Sequence, residues 1–124
     1  MAMGELRLRA LWWALGLALL ATIAALSLLP LKALPVNVPN IDKLNHAVAY
    51  IVLTTYFGQL TTLPRALGVL LGYGIGIELL QAQTPYRQAE IADLVANCVG
   101  MVLGLLLLRT RVRQSLRWCE SFVP

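Results

Sequence analysis

From Ala10 to Leu29 the chain runs for twenty residues without a charged side chain, and Pro30 closes the run. At 1.5 Å per residue a helix of that length reaches about 30 Å, the thickness of a bilayer's hydrocarbon core. A chain of 124 residues is too small to bury such a helix in a water-soluble core. The composition agrees, with 59% hydrophobic and 13% charged residues and a mean hydropathy of +0.73, where soluble domains carry about 25% charged residues. These values also exclude intrinsic disorder, and two cysteines exclude a secreted disulfide scaffold. Arg7 and Arg9 precede the run as they would in a signal peptide. The run is longer than the usual apolar region of about 7–15 residues, however, and no A-x-A site follows. It is expected to be a retained span.

Three weaker apolar runs follow, Leu44–Leu60, Ala66–Gln81 and Ile91–Leu108, separated by Pro35 and Pro39, then Pro64, then Pro85. None shows the alternation of a barrel strand, and in lipid only helices and closed barrels satisfy the backbone. The expected fold is therefore all-α: a single domain over 1–124, an integral membrane bundle of four transmembrane helices (10–29, 44–60, 66–81 and 91–108) with a basic tail at 109–124. Gly68, Gly72 and Gly76 form a small-xxx-small ladder, the pattern of a helix-packing seam.

The net charge of +4 does not point to nucleic acid, because the basic residues flank the spans. Arg7, Arg9, Arg65, Arg109, Arg111, Arg113 and Arg117 fall on one side, seven in all, and Lys32, Lys43 and Arg87 on the other, three in all. The imbalance predicts cytoplasmic termini, with Trp12, Trp13 and Trp118 at the cytoplasmic interface. Cys98 and Cys119 are expected to be unbridged.

The polar residues are distributed one-sidedly. Asp42, His46 and Tyr50 recur at i, i+4 and i+8 on one stripe of the second helix, with Lys43 beside them. Glu78 and Gln81 share a face at the end of the third helix, with Gly74 on the same stripe. Arg87 and Glu90 lie in the following loop. Asp93, Asn97, Gly100 and Gly104 step down one face of the fourth helix, where the glycines would admit a close neighbour beneath the polar pair. The four acids between the tails, the lone histidine and Arg87 thus map to one membrane face. Ionisable groups there cost roughly 2.5–3.5 kcal/mol each at the centre of a span, so a hydrogen-bonded cluster just below the outer headgroups is expected.

Asp42-Lys43-x-x-His46-x-x-x-Tyr50, Glu78-x-x-Gln81 and Pro85-x-Arg87-x-x-Glu90-x-x-Asp93-x-x-x-Asn97-x-x-Gly100, in that order, resemble the VanZ-like family of small membrane proteins. The match covers Asp42 to about Gly104, the first helix matching only as an apolar span. The resemblance implies a multi-pass protein of the bacterial cytoplasmic membrane. The family's founding member is an accessory protein of glycopeptide resistance, associated with teicoplanin.

Three readings of the cluster follow. In the first, Asp42, Lys43, His46, Tyr50, Glu78, Gln81, Arg87, Asp93 and Asn97 bind the headgroup of an envelope lipid, a lipid-linked precursor or a lipoglycopeptide, Arg87 serving as a planar fork for phosphate or carboxylate. In the second, His46 with Glu78 or Asp93 supplies general acid–base chemistry on a lipid-linked substrate. In the third, the cluster is structural: His46 bonds Asp42 or a helix-3 acid, Arg87 pairs with Glu90 or Asp93, and the partner is another protein or a second copy of the chain. His46, Glu78 and Asp93 could in principle hold a divalent ion. With one histidine and no partner at ligand spacing, neither a metal nor another cofactor is expected.

Overall fold

The computed structural model describes residues 5–30 and 40–124. Lys32, Pro35 and Pro39, with the topological and chain-breaking roles expected of them, lie outside the described residues. The described chain contains helices and no strand. The helices are α1 (Arg9–Leu28), α2 (Ile41–Leu60), α3 (Leu63–Ala82), α4 (Ile91–Leu107) and, after a 3₁₀ turn at Arg111–Gln114, the short α5 (Ser115–Glu120).

Two of the boundaries differ from expectation for local reasons. α2 starts three residues before the expected Leu44, which puts Asp42 in its first turn, where the helix dipole favours a carboxylate. α3 likewise starts at Leu63, with Pro64 inside its first turn. At that position the missing N–H costs nothing, so this proline opens the helix where a separator was expected.

α1 and α3 are long and apolar enough to cross a membrane, and α4 qualifies as a third if its continuation through Arg111–Glu120, bent by 79°, is counted with it. α2 does not pass that test, so the expectation of four spans is met by length and apolarity in only two or three helices.

α2 and α4 form the closest pair. A side-chain carbon at Gly100 would collide with the Ala47 carbonyl and the Tyr50 side chain, and one at Gly104 would lie 2.7 Å from the Thr54 Cβ. The two glycines thus allow the approach expected beneath the polar pair. The Gly68, Gly72 and Gly76 ladder behaves differently. A Cβ at any of the three would meet nothing within 4 Å among the described residues, so the expected seam does not pack against the rest of the described chain. α3 uses its other face, burying Ala66, Leu70, Gly74, Ile77, Glu78 and Gln81.

α1 is held lightly. Gly16 is its only buried residue, and Leu11, Leu15, Leu17 and Leu26 are exposed. Two tyrosines fasten it through its backbone: Tyr56 Oη donates to the Trp12 carbonyl and Tyr73 Oη to the Leu20 carbonyl, each at 2.6 Å.

The tail is ordered, where the sequence suggested only a basic extension. Leu116 is buried, and Gln59 Oε1 accepts from the Leu116 amide at 3.1 Å. Glu120 reaches the start of α1 and accepts from the Arg7 and Leu8 amides at 3.0 and 2.9 Å and from the Trp12 indole at 2.7 Å. Arg9 donates to the Leu60 carbonyl at 3.4 Å. Both ends of the described chain and the α2–α3 connection therefore gather at one end of the bundle, and Asp42, Lys43, His46, Glu78, Arg87, Asp93 and Asn97 gather at the other. Cys98 and Cys119 are free thiols.

A candidate polar site at one end of the bundle

Four segments converge here: the first two turns of α2, the last turn of α3, the 83–90 connection and the first two turns of α4. The final turn of α1 closes the group from the side. Of the predicted site residues, Asp42, Lys43, His46, Glu78, Arg87, Asp93 and Asn97 come into one cluster, with Glu90 at its edge.

His46 lies at the centre. Its Nδ1 is 2.9 Å from Asn97 Oδ1. That oxygen can only accept, so Nδ1 carries the proton and Nε2 presents its lone pair when the ring is neutral. Around Nε2 stand three carboxylates, with Asp42 Oδ1 at 3.9 Å, Glu78 Oε1 at 3.9 Å and Asp93 Oδ2 at 3.7 Å. All three exceed hydrogen-bond distance. The expected direct bond from His46 to Asp42 or to a helix-3 acid is therefore replaced by the bond to Asn97.

Glu78 and Asp93 are 4% and 3% exposed. Glu78 Oε2 accepts from the Glu90 amide at 3.2 Å, while Glu78 Oε1 and Asp93 Oδ1 are buried without a hydrogen-bond partner. Leaving a buried acceptor unpaired costs about 1–3 kcal/mol, and more where it is charged.

The cations divide differently from expectation. Lys43 bonds Glu90 at 2.8 Å and lies 3.7 Å from Asp93, and its ammonium holds the Glu90 carboxyl below the usual carboxylate range. Arg87 does not pair with Glu90 or Asp93. One of its nitrogens lies 3.4 Å from Asp42 Oδ1 and the other donates to the Ser27 carbonyl. Lys43, nearer to the start of α4, occupies the place expected for the arginine.

Gln81 and Tyr50 are turned to structural contacts. Gln81 Nε2 donates to the Ser27 carbonyl at 2.8 Å, and Tyr50 Oη to the Leu70 carbonyl at 3.0 Å. Gly74 permits the latter: a Cβ there would collide with the Tyr50 hydroxyl and come within 2.9 Å of the Asn97 amide nitrogen.

The sequence reading missed Ser27 and Tyr86. The carbonyls of Ser27 and Leu28 in the last turn of α1 accept from Arg87, Gln81 and Tyr86. A helix leaves its last four carbonyls without partners, and that rule was the available signal, since α1 carries no polar pattern.

Two cavities adjoin the cluster. One, of about 550 Å³, lies between α1, α2 and α3 and is lined by Ile23, Leu26, Ala49, Tyr73 and Ile77, with His46 and Asn97 on its wall. The other, of about 420 Å³, is polar and is lined by Gln81, Gln88, Glu90 and Asp93. Asp42 and Arg87 line both.

Fold and site together define a small helical protein of membrane type, with four carboxylates, two cations and its histidine collected at one end of an apolar bundle. The chain belongs to the VanZ/LLP1 family, which matches residues 6–113. It is also similar to an uncharacterized protein of Schizosaccharomyces pombe, 32% identical over 101 residues that cover 76% of this chain and 60% of that protein. The chain thus spans less than two thirds of this relative's length. No solved structure matches it.

Proposed function

We propose that this protein is a four-span membrane protein that binds an amphiphile at its polar end, holding a polar or anionic headgroup in the smaller cavity and an apolar chain in the larger one. The observation that carries this reading is the pair of cavities, one apolar and one polar, meeting at Asp42 and Arg87. Volumes of this order are usual for small-molecule sites. Arg87 and Lys43 supply the positive charge for a phosphate or carboxylate, and Arg87 can form paired hydrogen bonds to either.

In this reading α2 is the fourth span. Its outward stripe, Leu44, Val48 and Val52, is apolar at each turn, and its polar residues are turned toward α3 and α4, so a mean hydropathy understates how it would meet lipid. The seven-to-three division of basic residues puts the termini in the cytoplasm and the site at the opposite leaflet. In a bacterial cytoplasmic membrane the candidate ligands are an envelope lipid, a lipid-linked precursor or a lipoglycopeptide of the teicoplanin type.

Native mass spectrometry of the full chain, gently extracted and compared with Arg87→Gln, tests the proposal. The expected result is an amphiphile carried by the wild type and depleted in an equally folded variant. Bare wild-type spectra that stay bare during titration with anionic phospholipid would overturn it. Turnover of a bound lipid that disappears in Glu78→Gln would favour acid–base chemistry by His46, Glu78 and Asp93, which the clustering of buried carboxylates around His46 also permits.

A further inference from the structure

We infer that His46, Asp42, Glu78 and Asp93 form a binding site for a first-row divalent cation. The inference rests on the geometry of the cluster alone and stands or falls independently of amphiphile binding.

Hydrogen bonding gives the first argument. The proton on Nδ1 is committed to Asn97, so Nε2 and three carboxylate oxygens face one another as four acceptors with no donor among them. Nε2 stands 3.7–3.9 Å from the three oxygens, too far to bond any of them. Ligand atoms of Asp42, His46 and Asp93 all lie within 4.8 Å of one another. A tetrahedral ion bound at about 2.0–2.1 Å places its ligands roughly 3.3–3.5 Å apart, so each carboxylate oxygen needs to approach Nε2 by only a few tenths of an ångström, and the carboxylates, with Glu78 outside the group of three, must draw together about the ion.

The second argument is burial. Glu78 is 96% inaccessible, being 4% exposed, and its Oε1 has no hydrogen-bond partner while being the oxygen aimed at His46 Nε2. A carboxylate oxygen is seldom left so in a folded protein. A cation at the centre of the four groups would satisfy it together with the imidazole lone pair.

Charge gives the third. Among the described residues this end holds four carboxylates, Asp42, Glu78, Glu90 and Asp93, against two cations, Lys43 and Arg87. With His46 neutral, two negative charges are left over, which one dication balances. An imidazole among carboxylates suits zinc or manganese better than magnesium or calcium, which prefer all-oxygen shells. The bond that the other ring nitrogen, Nδ1, donates to Asn97 Oδ1 is the usual kind of support for a histidine ligand. Asp42, with its side chain 35% exposed, is the side on which an ion can enter.

The test uses the full chain in detergent without a histidine tag, stripped with EDTA and titrated separately with zinc and manganese chlorides. The expected result is one ion per chain and a higher unfolding temperature on loading. His46→Gln and Asp42→Asn should bind at least tenfold more weakly, and Asn97→Ala about 10–100-fold more weakly. Thr22→Ala, on the exposed face of α1, should bind as the wild type does. X-ray absorption of the zinc-loaded wild type should show a shell of nitrogen and oxygen with one imidazole, a readout that needs no variant to fold. Absence of uptake with no change in unfolding temperature would overturn the inference. So would sulfur in the shell, which would put the ion on a cysteine, or equal binding by His46→Gln.

Discussion

The Glu120 carboxylate lies 2.7 Å from the Trp12 indole nitrogen and accepts the Arg7 and Leu8 amides as well, so the last residue of α5 caps the first turn of α1. A helix start leaves its first N–H groups unpaired, and a carboxylate there also meets the favourable end of the dipole. Here the capping side chain comes from the opposite end of the chain. Its surroundings act on the carboxyl in two directions: partial desolvation raises its pKa, and the hydrogen bonds from Leu8, Trp12 and Arg7 lower it further, leaving it below the usual range.

Because the folded-state value lies below the unfolded one, this contact stabilises the protein above the ordinary carboxylate pKa and is lost as pH falls through the lowered value. Glu120→Gln should therefore lower the unfolding temperature at neutral pH and flatten the acid limb of the stability profile. Thermal unfolding of the two proteins between pH 3 and 7 checks this, and parallel profiles would argue against the cap.

Gly72 of α3 and Gly100 of α4 should respond differently to the same change. Gly100→Ala forces a methyl group against the Ala47 carbonyl and should cost about 1–3 kcal/mol, as overpacking does. Gly72→Ala meets open space and should leave the stability of the isolated chain unchanged or slightly higher. Reversible unfolding in mixed micelles separates the two. A destabilised Gly72→Ala would show that the ladder is covered, a second copy of the chain being the simplest cover.

Tyr50→Phe removes only the hydroxyl that donates to the Leu70 carbonyl. The loss should be about 0.6 kcal/mol, the average for polar contacts between membrane helices, and the cation affinity of the cluster should not change. A large drop in that affinity would mean that Tyr50 belongs to the ligand-holding group.

Arg87→Lys keeps the charge but cannot reach the Ser27 carbonyl and Asp42 together as a planar fork does. It should retain less of the co-purifying amphiphile than the wild type while staying folded. Equal occupancy in native mass spectra would reduce the arginine's role to that of a point charge.

The helical architecture, four long helices and the residues of the cluster were legible from apolar run length and from i, i+4 spacing, because both follow from helix geometry alone. Pairing within the cluster was less so. That Lys43, and not Arg87, meets Glu90 and Asp93 depends on where the 83–90 connection carries the arginine relative to α2, which no one-dimensional spacing encodes. The glycine ladder misled for a related reason: small residues permit a close approach, and the partner that uses it need not lie in the same chain. The ordered tail was hidden because its anchors, Leu116 and Glu120, are single residues amid arginines. Asp42, Glu78 and Asp93 surround His46 from α2, α3 and α4, an arrangement that spacing along any one helix does not display.

Arg87 has a fixed partner and an exchangeable one. The Ser27 carbonyl belongs to the backbone of α1 and stays where that helix stays, whereas Asp42 is a side chain that can turn away. In the proposed function an incoming anion would displace one carboxylate from a guanidinium already held in place, so that binding would be a swap of counter-ions that leaves the end of α1 tethered throughout.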